Sequence, residues 1–293
     1  MDLATFLVQC LNAVQYGLLL FLVASGLTLI FGIMGVINLA HGSFYMIGAY
    51  MAYGLAPFVA QHLAGGFATM LVIGIVLSVV LGYLLEWLFI SYLYRRDHLQ
   101  QVLMTYGLIL VFEELRSLLA GDDVHGVAMP AWLAGSVPLG GLMSYPVYRF
   151  FMSAVCLAVA LLLWLALSRT RIGMAIRAGA SNREMIQALG VDIRVLYRIV
   201  FAVGVALAAF AGMIAAPVSS VYPGMGNQVL IISFVVVVIG GIGSVRGALL
   251  AALLVGFVDA FGKVLFPTAS GVAVYVLMAA VLLWRPEGLF RRV

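Results

Sequence analysis

From Leu3 to Leu85 the chain carries no Asp, Glu, Lys or Arg. A run of that length without a formal charge cannot clothe a water-soluble domain, in which roughly 25% of residues are charged. The rest of the chain keeps the same bias: of 293 residues, 65% are hydrophobic and 9% charged, with a mean hydropathy of +1.19. A membrane helix needs about 20 apolar residues to cross the hydrocarbon core. Apolar segments recur at 9–31, 39–60, 67–94, 101–119, 148–167, 199–216, 229–239, 247–266 and 272–284. They are continuous, whereas barrel strands would alternate apolar and polar over about ten residues. The sequence therefore predicts an all-α, polytopic transmembrane helical bundle of about eight or nine membrane segments. It forms one domain over 1–293, with 39–60 and 229–239 crossing either fully or in part.

Orientation follows from arginine. The basic residues are 14 Arg and one Lys, and none precedes Arg95, so a cleaved secretory leader with a positive n-region is not expected. Arg95 and Arg96 sit in one loop. Arg169, Arg171, Arg177, Arg183, Arg194 and Arg198 lie in or beside another, and Arg285, Arg291 and Arg292 close the chain. The positive-inside rule puts these three regions in the cytoplasm. Segment 120–147, with Asp122 and Asp123, and the uncharged 217–228 then face outward. Counting back from Arg95 places the N-terminus, with Asp2, outside.

Two apolar stretches are interrupted alike. Gly32-Ile-Met-Gly35-Val-Ile-Asn38-Leu-Ala-His41-Gly42-Ser43 joins two helices early, and Ile239-Gly240-Gly241-Ile-Gly243-Ser244-Val-Arg246-Gly247 does so late. Glycines with small polar residues inside hydrophobic sequence are what broken or re-entrant helices need, because unwound backbone can meet a cargo. The alternative is a tight extramembrane turn. Paired interruptions mark Asn38, His41, Gly42, Ser43, Gly240, Gly241, Gly243 and Ser244 as a candidate pathway. Small residues every fourth position, at Gly204, Ala208, Gly212 and Ala216 and at Ala248, Ala252, Gly256 and Ala260, read as helix-packing scaffold.

Catalytic chemistry finds no foothold. His41, His62, His98 and His125 have no metal-ligand spacing, and Ser244, the serine best placed among glycines, has no histidine after it. Cys10 and Cys156 lie in separate apolar runs and read as packing residues. No catalytic group, metal or cofactor is expected, and no soluble segment is long enough to bind nucleic acid. Asp259 and Lys263, spaced i, i+4, can neutralise each other within the membrane, and Glu113 and Glu114 lie near Arg116. Lys263 follows Gly262, but a phosphate-binding loop would need glycine in place of Phe257 and a hydroxyl in place of Val264. Any ATP hydrolysis belongs to another subunit.

The loop 168–198 holds the strongest local pattern. Ser181 and Glu184 form a capping box and Gly190 supplies a C-terminal stop, predicting a helix of about two turns over 182–189 that includes Arg183. Alone it is too short to persist in water. Met185, Ile186 and Leu189 offer an apolar patch, either for a partner or for the protein's own cytoplasmic surface.

These features resemble a known family. Gly26-Leu-Thr-Leu-Ile-Phe-Gly-Ile-Met-Gly-Val-Ile-Asn-Leu-Ala-His-Gly-Ser43, the capped stretch Arg177–Asp192, Val238-Ile-Gly-Gly-Ile-Gly-Ser-Val-Arg-Gly247 and Trp284-Arg-Pro-Glu-Gly-Leu-Phe290 are similar to segments of the permease subunits of bacterial branched-chain amino acid ABC importers of the LivH type. The likeness covers nearly the whole chain. It implies a permease in the bacterial inner membrane that works with a second related permease, two cytoplasmic ATPase subunits and a periplasmic substrate-binding protein. The short capped helix would then be the element that couples to the ATPase. A stand-alone carrier or channel for small polar solutes such as amides or urea is the other expectation; it would need a relay carboxylate, and the embedded acids here look paired.

Overall fold

The computed structural model describes residues 3–63, 65–139 and 143–290. The side chains of Arg95, Leu139 and Met143, and the expectations for Asp2, Arg291 and Arg292, lie outside what it describes. In chain order the elements are α1 (Leu3–Met34), α2 (His41–His62), α3 (Gly66–Leu88), a 3-10 turn (Ile90–Arg95) and α4 (His98–Ala120). A second 3-10 turn (Ala131–Leu133) and a hairpin of β1 (Ser136–Leu139) and β2 (Met143–Pro146) follow. The chain continues with α5 (Val147–Arg169), α6 (Arg171–Ser181), α7 (Arg183–Ala188), α8 (Ile193–Ser219), α9 (Met225–Gly240), α10 (Val245–Leu265) and α11 (Ser270–Trp284). All nine apolar segments are helical.

α1, α2, α3, α5, α8 and α10 are long and apolar enough to cross a membrane. α4 matches them in length but carries Glu113, Glu114 and Arg116. α9, with 16 residues, rises about 24 Å, short of the roughly 30 Å hydrocarbon core. The hairpin, paired from Ser136↔Pro146 to Leu139↔Met143, was not expected, but it is confined to the long loop between α4 and α5.

Helices gain little from mere apolar contact in lipid, so close backbone approach must hold them. α1 and α8 form the buried centre. They cross where a Cβ placed on Gly26 would sit 2.6 Å from the Gly204 carbonyl oxygen. α10 lies on α1 in the same way, with Gly256 facing the Gly17 backbone at 2.8 Å, and α3 lies on α8, with Gly82 facing the Ala202 Cα at 2.8 Å. Gly212 abuts the Tyr45 carbonyl and brings α2 onto α8. Both small-residue stripes are therefore contact surfaces. Polar ties add to them: the Tyr148 hydroxyl donates to the Ile214 carbonyl at 2.8 Å, and Arg198 Nε lies 3.0 Å from the Glu86 carboxylate, joining α8 to α3.

Gly26→Val should overpack the α1–α8 crossing and destabilise the protein by about 1–3 kcal/mol. Gly54→Ala, at a position with nothing within 4 Å of the added carbon, should melt with the wild type or above it. Thermal unfolding in detergent checks this, and equal midpoints for Gly26→Val and wild type would contradict the packing described.

Candidate functional site

α1 stops at Met34, and Gly35 turns the chain with φ +66°. The chain then runs back beside α1 instead of leaving the bundle. His41 Nε2 meets the Val23 carbonyl at 2.9 Å, and Val23 is eleven residues before Met34, about 16 Å of helical rise. α2 thus begins inside the protein, which is the broken, re-entrant geometry predicted. Asn38 Oδ1 accepts from the Ala40 amide at 3.1 Å and shapes the final turn before the helix. Gln101 Nε2 donates to the Leu93 and Arg96 carbonyls, both at 3.2 Å, which fixes the start of α4 beside the break. Asn38, His41 and Ser43 are buried. Gly42 lies against the first turn of α9, where a Cβ on Gly226 would sit 2.8 Å from the Gly42 oxygen. Asn38 Nδ2, His41 Nδ1, Thr28 Oγ1 and Ser233 Oγ are buried without a hydrogen-bond partner among the described residues. Each such group costs about 1–3 kcal/mol.

The second interruption is built differently. α9 ends at Gly240; Gly241 and Gly243 take φ +95° and +84°. Ser244 Oγ accepts from the Gly247 amide at 3.1 Å and caps α10. The open carbonyls of Ile239 and Gly240 receive the amides of Leu289 (2.8 Å) and Phe290 (3.2 Å), so the C-terminal tail closes the end of α9. On the other side Gly243 meets α1, with a Cβ on Gly32 falling 2.6 Å from the Gly243 Cα. The two interruptions are neighbours, but Asn38, His41, Gly42 and Ser43 lie deep. Gly240, Gly241, Gly243 and Ser244 lie at the Met34 end of α1. None of the eight lines the cavities described here.

In the arginine-rich loop one detail is corrected. Ser181 ends α6, and the N-cap of α7 is Asn182, whose Oδ1 accepts from the Met185 amide at 3.0 Å. The Ser181–Glu184 box does not form, because the Asn182 amide is still bonded to the Ala178 carbonyl at 2.9 Å, leaving Ser181 inside the preceding helix. Gly190 does stop α7, with φ +84°. Its amide reaches the Gln187 carbonyl and that of Val191 the Ile186 carbonyl, at 2.9 and 3.2 Å, the bonding of a Schellman motif. The apolar patch is divided. Ile186 is buried and anchors α7, while Met185 (62%) and Leu189 (77%) face outward. Arg183 opens α7 and lies on the first break: a Cβ on Gly35 would sit 2.7 Å from its Nη2. α6, capped by Thr170 Oγ1 accepting from the Gly173 amide at 3.0 Å, was not anticipated.

A cavity of about 450 Å³ opens between the Leu3 end of α1, the start of α5 and the ends of α8 and α10. Its polar wall holds Asn12, Gln15, Arg149, Asp259 and Lys263, and Leu19, Val218 and Val264 supply apolar surface. Lys263 Nζ lies 2.6 Å from Asp259 Oδ2, the predicted i, i+4 pair. Arg149 Nη1 donates to Asn12 Oδ1 at 2.6 Å. Just outside the membrane helices, Tyr145 donates to the same oxygen at 3.2 Å, and burial raises the Tyr145 pKa. Tyr45 lines the same cavity, one helical turn beyond His41. A pocket with both signs of charge and aliphatic walls can hold a small zwitterion with an apolar side chain. Sequence reasoning missed it: Asp259–Lys263 was visible, but Arg149 and Asn12 are 137 positions apart. Among the described residues no group of His, Cys, Asp and Glu could hold a metal.

Comparison with known proteins agrees with this architecture. A family model described as the permease component of the branched-chain amino acid transport system matches residues 9–284. The chain is 31% identical to the high-affinity branched-chain amino acid transport system permease protein BraD of Pseudomonas aeruginosa, over 98% of this chain and 96% of that protein. It is 30% identical to the permease protein LivH of Escherichia coli K12, with the same coverage. The solved structure of PsaBC from Streptococcus pneumoniae in complex with Fab superposes with a TM-score of 0.46 at 12% identity, covering 93% of this chain and 89% of that one, too distant to carry an argument. With residues 9–284 matched, this multi-pass membrane protein belongs to the branched-chain amino acid transport permease family, as a translocation component and not an enzyme.

Proposed function

We propose that the chain is the permease subunit of an ATP-driven importer that moves branched-chain amino acids, Leu, Ile or Val, across the bacterial inner membrane. The observation that carries the substrate class is the cavity of about 450 Å³, whose lining includes Asp259, Arg149 and Lys263 together with Leu19, Val218 and Val264. A bound amino acid would replace the Asp259–Lys263 contact, its ammonium group taking Asp259, its carboxylate Arg149 and Lys263, and its side chain the aliphatic wall. With Arg169, Arg171 and Arg177 in the cytoplasm, the N-terminus and this cavity face outward and the C-terminus inward. The cavity is then the place where a periplasmic binding protein delivers its cargo.

Tyr45 forms part of the cavity wall, and Asn38 and His41 follow behind it with Gly42 and Ser43. Their unpartnered nitrogen atoms suit brief contacts with the polar end of a passing amino acid, whose groups cannot cross hydrocarbon unsolvated. Gly240, Gly241, Gly243 and Ser244 frame the inner end, where α1, α10 and the tail meet. The exposed Met185 and Leu189 of α7 suit a groove on an ATPase. Arg183, set on Gly35, would pass a movement of α7 to the break before α2. The assembly in this reading is this permease, a second related permease, two cytoplasmic ATPases and the binding protein, in a lipid bilayer and without nucleic acid. The whole chain, 1–293, acts as one domain that includes the coupling loop 168–198.

Two outcomes follow from this reading. In the assembled transporter, Asp259→Asn and Arg149→Gln should each raise the KM for amino acid uptake about tenfold or more, the loss expected for one charge-assisted hydrogen bond, with membrane levels unchanged. An unaltered KM in both would remove the cavity from the pathway. Leu189→Asp should weaken ATPase association about tenfold or more while the permease still folds, since Leu189 is exposed and acts as a docking anchor. Ile186→Asp should instead lower the thermal midpoint of the permease itself, because it buries a charge. Pull-down of the ATPase with each variant, alongside its melting curve, separates the two; undiminished association for Leu189→Asp would refute the coupling assignment.

A further inference from the structure

A second basic site lies at the opposite end of the molecule; its cytoplasmic placement and the coupling role of α7 rest on the reading above. A cavity of about 790 Å³ opens between the inner end of α3, the 3-10 turn after it, α7 and the start of α8, and its walls include Arg96, Arg183, Arg194, Arg198 and Glu86. Glu86 is already engaged: its carboxylate lies 3.0 Å from Arg198 Nε and also accepts from the Tyr94 hydroxyl. Burial, then that bond, raises the Tyr94 pKa, so Tyr94 stays a neutral donor. Arg96, Arg183 and Arg194 have no carboxylate within ion-pair distance among the described residues. Asp97, Glu184 and Asp192 neighbour them in the chain but do not line the cavity. The Asp192 carboxylate instead accepts from the Arg194 amide at 2.8 Å and caps α8.

Four guanidinium groups facing one committed carboxylate favour an anion, and planar guanidinium donors match phosphate oxygens in pairs. The surroundings say which kind of phosphate. Trp87 and Tyr92, 52% and 73% exposed, stand at the rim, and Trp and Tyr are the residues of the membrane–water interface. Arg198 stacks over the Tyr83 ring at 5.7 Å. Beyond it the outer face of α3 continues through Val80, Val76 and Val72, all exposed. A phosphate held in the cavity thus has an apolar track beside it on which acyl chains can lie. Basic pockets at the cytoplasmic ends of membrane helices take anionic headgroups for this reason.

We propose that this cavity binds the headgroup of an anionic phospholipid, with Arg96, Arg183 and Arg194 around the phosphate and the acyl chains along α3. Because Arg183 also lies on Gly35, an occupied site braces α7 against the break that precedes α2. The lipid would therefore set the resting position of the coupling helix.

The test uses the full chain in mild detergent, titrated with phosphatidylglycerol or phosphatidylcholine and read by native mass spectrometry. Arg96→Gln combined with Arg194→Gln, both exposed positions, should weaken phosphatidylglycerol binding about fivefold per arginine, about 25-fold for the pair. Phosphatidylcholine binding should not change. A control pair, Arg171→Gln with Arg177→Gln on α6, removes the same charge away from the cavity and should leave phosphatidylglycerol affinity within about twofold. Equal affinity in the cavity pair and wild type would overturn the proposal, as would an equal loss in the α6 pair, which would mean only bulk charge. Displacement of the lipid by millimolar inorganic phosphate would assign the site to a free anion instead. Unchanged lipid binding with loss of ATPase association in the cavity pair would assign it to a protein partner.

Discussion

Backbone-to-backbone contact between α1 and α8 at Gly26 and Gly204 is the constraint on which the other features depend. In lipid, apolar side chains gain little by leaving one apolar surroundings for another, so proximity has to come from small residues. The same crossing positions the first break: the Cβ that Gly26 lacks would lie 3.0 Å from His41 Cε1. Space made by glycine is what lets His41 enter beside α1 and bond the Val23 carbonyl. A β-carbon at Gly26 would push at once on α8 and on the start of α2, so the packing core and the proposed pathway are one structure.

That economy extends to the inner end. Helix ends leave carbonyls that must be satisfied, and α9 meets the requirement with the C-terminal tail, through Leu289 and Phe290. Gly288 makes the approach possible, since a Cβ there would fall 2.6 Å from the Gly241 Cα. Two motifs nearly fifty residues apart in the chain are halves of a single closure. Glycines at 240, 241 and 243 are therefore explained by the tail, by α10 and by Gly32, before any contact with cargo is invoked. The deep residues Asn38 and His41 have no such sufficient explanation, because their bonding is incomplete.

The helices were legible because hydrocarbon imposes a length and apolarity that few sequences satisfy by accident, and the breaks were legible because glycine clusters with Asn, His and Ser are out of place in such sequence. The cap of α7 was misread by one residue because Ser181 and Asn182 are both good caps; only the continuation of α6 through Ser181 decides between them, and that continuation rests on tertiary packing of Ile176 and Ala180 against the core. Ile186 could be recognised as apolar but not as inward-facing, since a helix of six residues has no complete periodic face to read. The outer cavity was hidden for a different reason. Arg149 and Asn12 carry no local signature and become partners only when α5 lies beside α1.

The incomplete bonding at the first break bears on how a coupling movement could work. Among the described residues Asn38 Nδ2, His41 Nδ1, Thr28 Oγ1 and Ser233 Oγ each lack a partner, at about 1–3 kcal/mol apiece. Moving a two-state equilibrium from one side to the other takes about 5.5 kcal/mol. A conformation that supplied partners to two or three of these atoms, from water, cargo or one another, would shift the balance by that order. In the proposed mechanism the first break is where such a change would occur, and Arg183, set on Gly35, lies between that break and α7. Full satisfaction of these groups would make the arrangement described here more stable and harder to leave. In the proposed pathway, polar atoms open to a passing cargo suit a translocation subunit, provided the glycine crossings hold the rest of the bundle in place.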